Sequence, residues 1–319
     1  MNAATRSKDQ VLDYKIVPAP AALGAEVHGL DLRQLNDATF KRLHEAWLHH
    51  LLLVFKDQTL TAEDLVILVN RFGTPVSSSG LHQRNLEERT ANKLFKLPPE
   101  ITVVTNLREN GKPVGILGDG EIVWHSDFSF KERPTAARML VAMEVPPQDK
   151  GGNTQFLNAY AAYNALPADY KKQLVGKTIK QGNIVDTAMK LRPGASLSDD
   201  IRAAPGPSHP IISTHPETGC NCLFLGRRHA AYVNGMAPEA SEAFLDELWA
   251  YGTQERFIYT HRWNRGDVVV WDNRATVHRR EGFDPESRRV LYAAQVVGHR
   301  PLEAPDALSR PAHGRAQLN

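Results

Sequence analysis

The sequence predicts a mainly β protein with peripheral helices, an α+β double-sheet jelly roll, and three observations carry that expectation. Short apolar runs bounded by Gly, Pro and Asn turns recur along most of the chain and read as strands. Helical spacing of apolar residues is confined to a few stretches, so the helices should lie to one side of the sheets. No internal repeat of fixed period is apparent, and a jelly roll is the arrangement that buries most strand edges. At 319 residues and 42% hydrophobic the chain can bury a substantial core. It is expected to form a single domain over 1–319, with its core at about 11–300.

Taken in order, residues 1–10 are polar and charged and are expected to form a mobile end. Residues 15–17 and 24–30 read as short strands around a Pro and Ala turn. From Asn36, the residues Phe40, Leu43, Trp47 and Leu48 recur at helical spacing, and the apolar run 51–55 is short enough for a buried strand. Thr61, with Asp64 three residues on, caps a helix through Leu65, Leu68 and Val69 that stops at Gly73. Residues 75–99 are polar and lack a period, which makes them a candidate lid. Strands then follow at 101–107, beyond an Asn110-Gly111 turn, and at 138–145, ended by Pro146-Pro147. Residues 159–174 read as helix broken at Pro167, and 183–207, with scattered Pro, Gly and Ser, as a partly disordered insert. Strands at 211–214 and 223–225, a helix at 240–251, strands at 257–263, 268–272 and 289–297, and a loose tail at 301–319 complete the chain.

Composition narrows the partners. Lys and Arg number 38 against 36 Asp and Glu, a net charge of +2 with no long basic run, so a small molecule is the expected partner rather than nucleic acid. No run of eighteen apolar residues exists, which excludes a membrane helix. Cys220 and Cys222 are the two cysteines, and i,i+2 neighbours on a strand are poorly placed to bridge each other. A reducing, cytoplasmic location is the natural reading. Self-association into a homo-oligomer is compatible with the sequence.

The chemistry centres on Val123-Trp124-His125-Ser126-Asp127. In an extended segment residues i and i+2 point to the same side, so His125 and Asp127 can share one metal ion, with Trp124 and Phe128 turned to the opposite side. A third ligand is expected far downstream, where the apolar strand Val269-Val270-Trp271-Asp272 runs into a polar turn and delivers His278. Two imidazoles and one carboxylate with open positions opposite suit Fe(II) better than a closed structural zinc. With thirteen histidines in the chain, an isolated one is more often a hydrogen-bonded core residue. The combination with His278 reverses that preference. Cys220 and Cys222 with His215 make a poor zinc site and are read as packing.

Trp124-His125-Ser126-Asp127, Pro146 through Gly151-Gly152-Asn153-Thr154, His209-Pro210, Thr214-His215-Pro216 with Gly219, and Trp271-Asp272-Asn273-Arg274 leading to His278 together resemble the taurine dioxygenase and 2,4-dichlorophenoxyacetate dioxygenase (TauD/TfdA) family. The resemblance covers roughly residues 24–298. It implies a cupin-like double-stranded β-helix with iron held by His125, Asp127 and His278. It also implies Fe(II), 2-oxoglutarate and O2 as cofactor and cosubstrates, with oxidative decarboxylation of 2-oxoglutarate coupled to hydroxylation, desaturation or cleavage of a small organic substrate. Thr154 matches the threonine that contacts the oxo-acid. Arg289, eleven residues past His278, matches the arginine that grips its distal carboxylate, a bidentate task suited to a planar fork.

The sequence departs from the taurine dioxygenase pattern at Ala293, where a second arginine holds the substrate's anionic group. Either another cation compensates or the substrate is not anchored through an anion. Glu121 stands where that pattern has an amide, and a carboxylate there favours a neutral or amine-bearing substrate. Two alternatives stay open: an Fe(II) oxygenase of this fold that does not use 2-oxoglutarate, and a non-catalytic jelly-roll binding protein.

Overall fold

Alternate residues of the central strands feed two separate apolar layers, and that alternation sets the architecture. The computed structural model of the chain describes residues 11–77, 95–192, 194–196 and 200–306. The strands of its two principal sheets are β1 (Lys15–Pro18), β2 (Ala25–His28), β3 (Leu52–Phe55), β4 (Thr102–Thr105), β5 (Ile116–Leu117), β6 (Ile122–His125), β7 (Thr135–Glu144), β8 (Thr154–Asn158), β9 (Ile258–His261), β10 (Val268–Asp272), β11 (Thr276–Arg280) and β12 (Val290–Val297). Eight of them form a large sheet in the order β1-β2-β3-β10-β7-β12-β4-β5, and four form a small one in the order β9-β8-β11-β6. The result is the double-sheet jelly roll expected.

The central strands are apolar on both faces because both faces are covered. On β7, Leu140 and Ala142 join Val269 and Trp271 of β10 and Leu291 and Ala293 of β12 in one layer, shared with Phe156 of β8. Their neighbours Met139, Val141, Val268, Val270, Ala294 and Val296 turn to the other side. There they meet Leu43 and Trp47 of helix α1 (Asp37–His50) and Leu65, Leu68 and Val69 of helix α2 (Ala62–Phe72). Since side chains alternate across a strand, a slip of one residue would exchange the two layers. Helices α3 (Ala159–Ala165), α4 (Ala168–Leu174) and α5 (Pro238–Gly252) add Tyr163, Leu174, Leu245 and Leu248 to the first layer.

The local signals act as the sequence suggests. The Asn36 side chain accepts from the Thr39 N–H at the start of α1. Thr61 and Asp64 form a reciprocal capping box at α2. Pro167 separates α3 from α4. Two small three-stranded sheets are less legible. One joins Thr178–Gln181, Ser208–Pro210 and Ala231–Val233, and the other joins Ile212–Thr214, Asn221–Leu223 and Leu302–Glu303. Four of these strands fall where the sequence predicts none, because each is two to four residues long and carries no clear alternation. The tail is therefore not loose at its start, since Leu302 and Glu303 pair with Thr214 and Ser213. Residues 1–10 and 307–319, and most of the candidate lid (78–94), lie outside the described residues.

Replacing Thr61 by Ala removes half of the capping box, and urea denaturation should show a loss of about 1 kcal/mol. Leu291→Ala, in the layer between the sheets, should cost about 2–5 kcal/mol in the same assay.

Candidate metal centre

β6 and β11 are neighbours in the small sheet, and their register sets His125 directly opposite His278. The two imidazole centroids lie 4.2 Å apart. The strand ends at His125, however, so Asp127 sits in the turn beyond it and not on the same extended segment. What aims Asp127 is Asn273. Its side-chain oxygen accepts from the Asp127 N–H at 2.9 Å, and its amide donates to the carbonyls of Asp127 at 3.1 Å and Thr135 at 2.8 Å. The turn also overturns one expectation. Phe128 has a φ of 56° and lines the same cavity as His125 and Asp127, because the left-handed residue swings the chain back.

Asp127 Oδ1 lies 3.7 Å from His125 Nε2, and Oδ2 lies 3.6 Å from His278 Nε2. One donor atom from each of the three residues falls within 4.8 Å of the others, and all three residues are buried. A cation with bonds of about 2.0–2.2 Å fits between donors so spaced. Among the described residues no other cluster of His, Cys, Asp or Glu meets this condition. The protonation states suit a metal. His125 Nδ1 lies 2.8 Å from the Val123 carbonyl, a contact in which Nδ1 carries the proton and Nε2 keeps its lone pair. Burial pushes His278 well below the usual imidazole range, reinforced by His125, so it is neutral. For Asp127 burial opposes ionisation, but the Arg138 guanidinium beside it outweighs that and holds the carboxyl well below its usual range. Asp127 Oδ2, which faces His278 Nε2, is buried without a hydrogen-bond partner, as expected of a group awaiting a ligand.

The Trp-Asp-Asn-Arg run divides its work. Trp271 packs edge-on against His278, centroids 4.9 Å apart. Asp272 is no ligand. Its oxygens accept from Arg274 Nε at 2.8 Å and from His215 Nε2 at 3.0 Å, with no exposed side-chain surface on either Asp272 or His215. The network pins the turn that supplies Asn273, and it gives His215 a structural role. Cys220 and Cys222 are buried and unbridged.

Arg289 precedes β12 and is 1% exposed, yet its Nε and Nη1 have no hydrogen-bond partner. Its guanidinium lies 6.0 Å from the Trp263 ring centroid and 5.7 Å from that of Phe283. Burial, with Arg280 nearby, pushes its pKa well below the ordinary arginine value. A cation held this way is costly unless an anion completes it. Trp263 also links it to Thr154, whose hydroxyl oxygen accepts from Trp263 Nε1 at 2.9 Å and so keeps its own proton to donate. The Gly151-Gly152 turn comes close here. A Cβ on Gly151 would meet the Gly282 carbonyl at 2.5 Å, and one on Gly152 would lie 3.6 Å from Arg289 Nε.

A cavity of about 740 Å³ opens on His125 and Asp127. His278, Thr154 and Arg289 are not among its lining residues. The insert read as partly disordered supplies one wall, since Val185 bridges Leu191 and residues 186–188 and 190–192 line the space. Glu121 does not line it. Its side chain is 62% exposed and lies 3.7 Å from Arg279, which removes the reason given for a neutral or amine-bearing substrate. Ala293 is buried in the layer between the sheets. Sequence reasoning missed Arg138, which lines the cavity and contacts Asp127. A lone arginine within the apolar run Ala136-Ala137-Arg138-Met139-Leu140 was the available signal.

The pattern of the "Taurine catabolism dioxygenase TauD, TfdA family" matches residues 15–295 of the chain. Pentalenolactone F synthase of Streptomyces arenae is 33% identical over 298 residues, spanning 89% of this chain and 94% of that protein. The (S)-phenoxypropionate/alpha-ketoglutarate-dioxygenase of Sphingobium herbicidovorans is 30% identical over 301 residues, spanning 89% and 95%. Among solved structures, a taurine dioxygenase from Burkholderia xenovorans superposes with a TM-score of 0.71 at 27% identity, over 93% of this chain and 94% of that one.

The buried Asp272 network makes a prediction. Its main influences are burial, which raises the carboxyl pKa, and Arg274 and His215, which outweigh it and leave the folded value well below the ordinary 3.8. Arg274→Met strands the carboxylate and should cost on the order of 3 kcal/mol at pH 7. The stability that this depressed pKa contributes is fully present above about pH 4 and fades as pH falls below it. Denaturation curves of wild type and variant should therefore converge in acid.

Proposed function

This chain belongs to the TauD/TfdA family and is an Fe(II)- and 2-oxoglutarate-dependent dioxygenase, and on that premise we propose that His125, Asp127 and His278 hold the iron while Arg289 and Thr154 bind the cosubstrate. The observation that carries the assignment is the buried three-donor cluster with the Asp127 Oδ2 orphaned inside it. Bound Fe(II) would supply dioxygen activation coupled to oxidative decarboxylation of 2-oxoglutarate, and two imidazoles with one carboxylate are a donor set that suits it.

The chain's own part is orientation and exclusion of water. The His125 contact with the Val123 carbonyl holds one imidazole in the ligating tautomer, and Asn273 fixes the turn that presents Asp127. Arg289 offers two unpartnered donors to the distal carboxylate, and the Thr154 hydroxyl has a proton to give. A small organic substrate would occupy the cavity beside His125 and Asp127. The same reading takes residues 1–319 as one oxygenase domain, since both apolar layers share the large sheet. It also assigns the enzyme to the cytoplasm, in keeping with two unbridged cysteines.

Anaerobic titration with Fe(II) and then 2-oxoglutarate tests the assignment. Asp127→Ala and His278→Ala should each abolish tight metal binding. Asn273→Ala, acting through Asp127, should weaken metal affinity about 10–100-fold. Arg289→Gln should leave metal affinity intact and weaken 2-oxoglutarate by on the order of a hundredfold or more. Retention of cosubstrate affinity in Arg289→Gln would refute the role given to that residue, and succinate formation during turnover would separate this enzyme from one that does not use 2-oxoglutarate.

A further inference from the structure

The cavity is strongly basic. Among its described lining residues are seven lysines and arginines against three aspartates. Most of these cations are committed or lie at the mouth. Arg227, for example, donates to the carbonyls of Val185 at 2.7 Å and Gly182 at 2.8 Å. Arg138 combines burial with an ion pair to Asp127 and an unused edge. It is 8% exposed, lies 5.9 Å from the Trp271 ring centroid, and its Nε is buried without a hydrogen-bond partner. Its one ion pair among the described residues is to Asp127 through Nη1, which leaves the edge formed by Nε and the second amino group for another acceptor.

Its place in the sheet explains the alanine at 293. Ala293 of β12 is paired with Leu140 of β7, and Gln295 is paired with Arg138. Residues two apart on a strand share a face. The guanidinium therefore stands on the same side of the large sheet as Ala293, one strand over and one residue pair along, and Gln295 beside it also lines the cavity. The charges agree. With divalent iron, Arg138, Arg289 and Asp127 counted together, the two carboxylates of 2-oxoglutarate leave one positive charge over, while Arg280 has Asp119 as its countercharge. An uncompensated buried cation is unfavourable, and an anionic substrate group removes it.

We propose that Arg138 is the specificity-determining residue of the substrate cavity, gripping a carboxylate or similar planar anion of the substrate in place of an arginine at 293. The inference rests on the iron and 2-oxoglutarate assignment above. The substrate class is thus a small organic acid whose anionic group lies beside Asp127, with its apolar body against walls that include Phe128, Phe130 and Ile116.

The test is calorimetric binding to the full chain loaded with Mn(II) and 2-oxoglutarate, so that no turnover intervenes. The probes are phenylacetate, 4-phenylbutyrate and 2-naphthylacetate, each against its neutral primary amide. In the wild type at least one acid should bind tenfold or more tighter than its amide. Arg138→Gln, kept saturated with Mn(II) and 2-oxoglutarate, should cut that preference by on the order of tenfold to a hundredfold, and Arg138→Lys should keep part of it. The proposal is overturned if no acid binds, if the amides bind equally well, or if the preference survives in Arg138→Gln. Should Arg138→Gln fail to fold or to hold Mn(II) and 2-oxoglutarate, an unchanged preference in Arg138→Lys overturns it and a severalfold loss supports it. Failure of the wild type to bind Mn(II) and 2-oxoglutarate, read before any acid is added, would instead break the underlying assignment and this inference with it.

Discussion

The contact on which the site depends is a backbone one. β6 and β11 pair antiparallel with His125 opposite His278, and this ladder brings together two segments far apart in sequence. A slip of one residue would send one imidazole to the other face of the small sheet, where no partner waits. Phe156 on β8 is likewise paired with His278 and stacks on it, centroids 5.9 Å apart. The register thus sets both the donors and the apolar floor behind them. The shift in pairing between His278 and Arg280 confines the strict register to the residue that needs it.

Around this ladder the protein holds several charges that burial disfavours. Asp127 is matched by Arg138, and Asp272 by Arg274 and His215. The Asp272 network is satisfied within the chain and keeps its turn in place, whereas Asp127 Oδ2 and Arg138 Nε stay buried without partners. Arg289 belongs with the latter, since its buried Nε and Nη1 have no partner. Satisfied networks stiffen a site, whereas an orphaned donor lowers stability until a ligand arrives. That contrast separates scaffold from binding group without appeal to sequence position, and it places Asp272, next to a ligand-bearing turn, firmly with the scaffold.

Much of this was legible in the sequence, and the parts that were not share a cause. The strands of the large sheet and helices α1, α2 and α5 announce themselves through periodicity and caps, because each buries a continuous face. The histidines and Asp127 were legible through residue type and spacing, although Asp127 reaches its place from a turn held by Asn273. Glu121 was misplaced because extending the strand pattern back from His125 overruns the strand, which starts at Ile122. The short strands near 180, 209 and 232 draw their stability from neighbours remote in sequence, so no local pattern marks them. The wall at 186–192 was hidden for a different reason: its turns have no regular period and rest on one local side chain, Asp186, which accepts from the Ala188 and Lys190 N–H groups at 2.9 Å.

Arg138 shows why reading one strand at a time falls short. Along β12 the change from arginine to alanine looks like the loss of a charge from the cavity. Across the ladder from β12 to β7, the charge is present two residues away from the partner of Ala293. A sheet face is a two-dimensional lattice, and a ligand group meets whichever side chains project from it, regardless of the strand that carries them. The long arginine stem lets a guanidinium cover the offset between neighbouring strands, so two positions unrelated in sequence can serve one point in space. The move has a chemical consequence. At 138 the cation touches the carboxylate that also faces both imidazoles, so an anion bound at its other edge shares the guanidinium with Asp127 and lies close to that three-residue cluster. Recognition of the substrate and alignment of Asp127 then share one side chain, which an arginine on β12 would have kept apart.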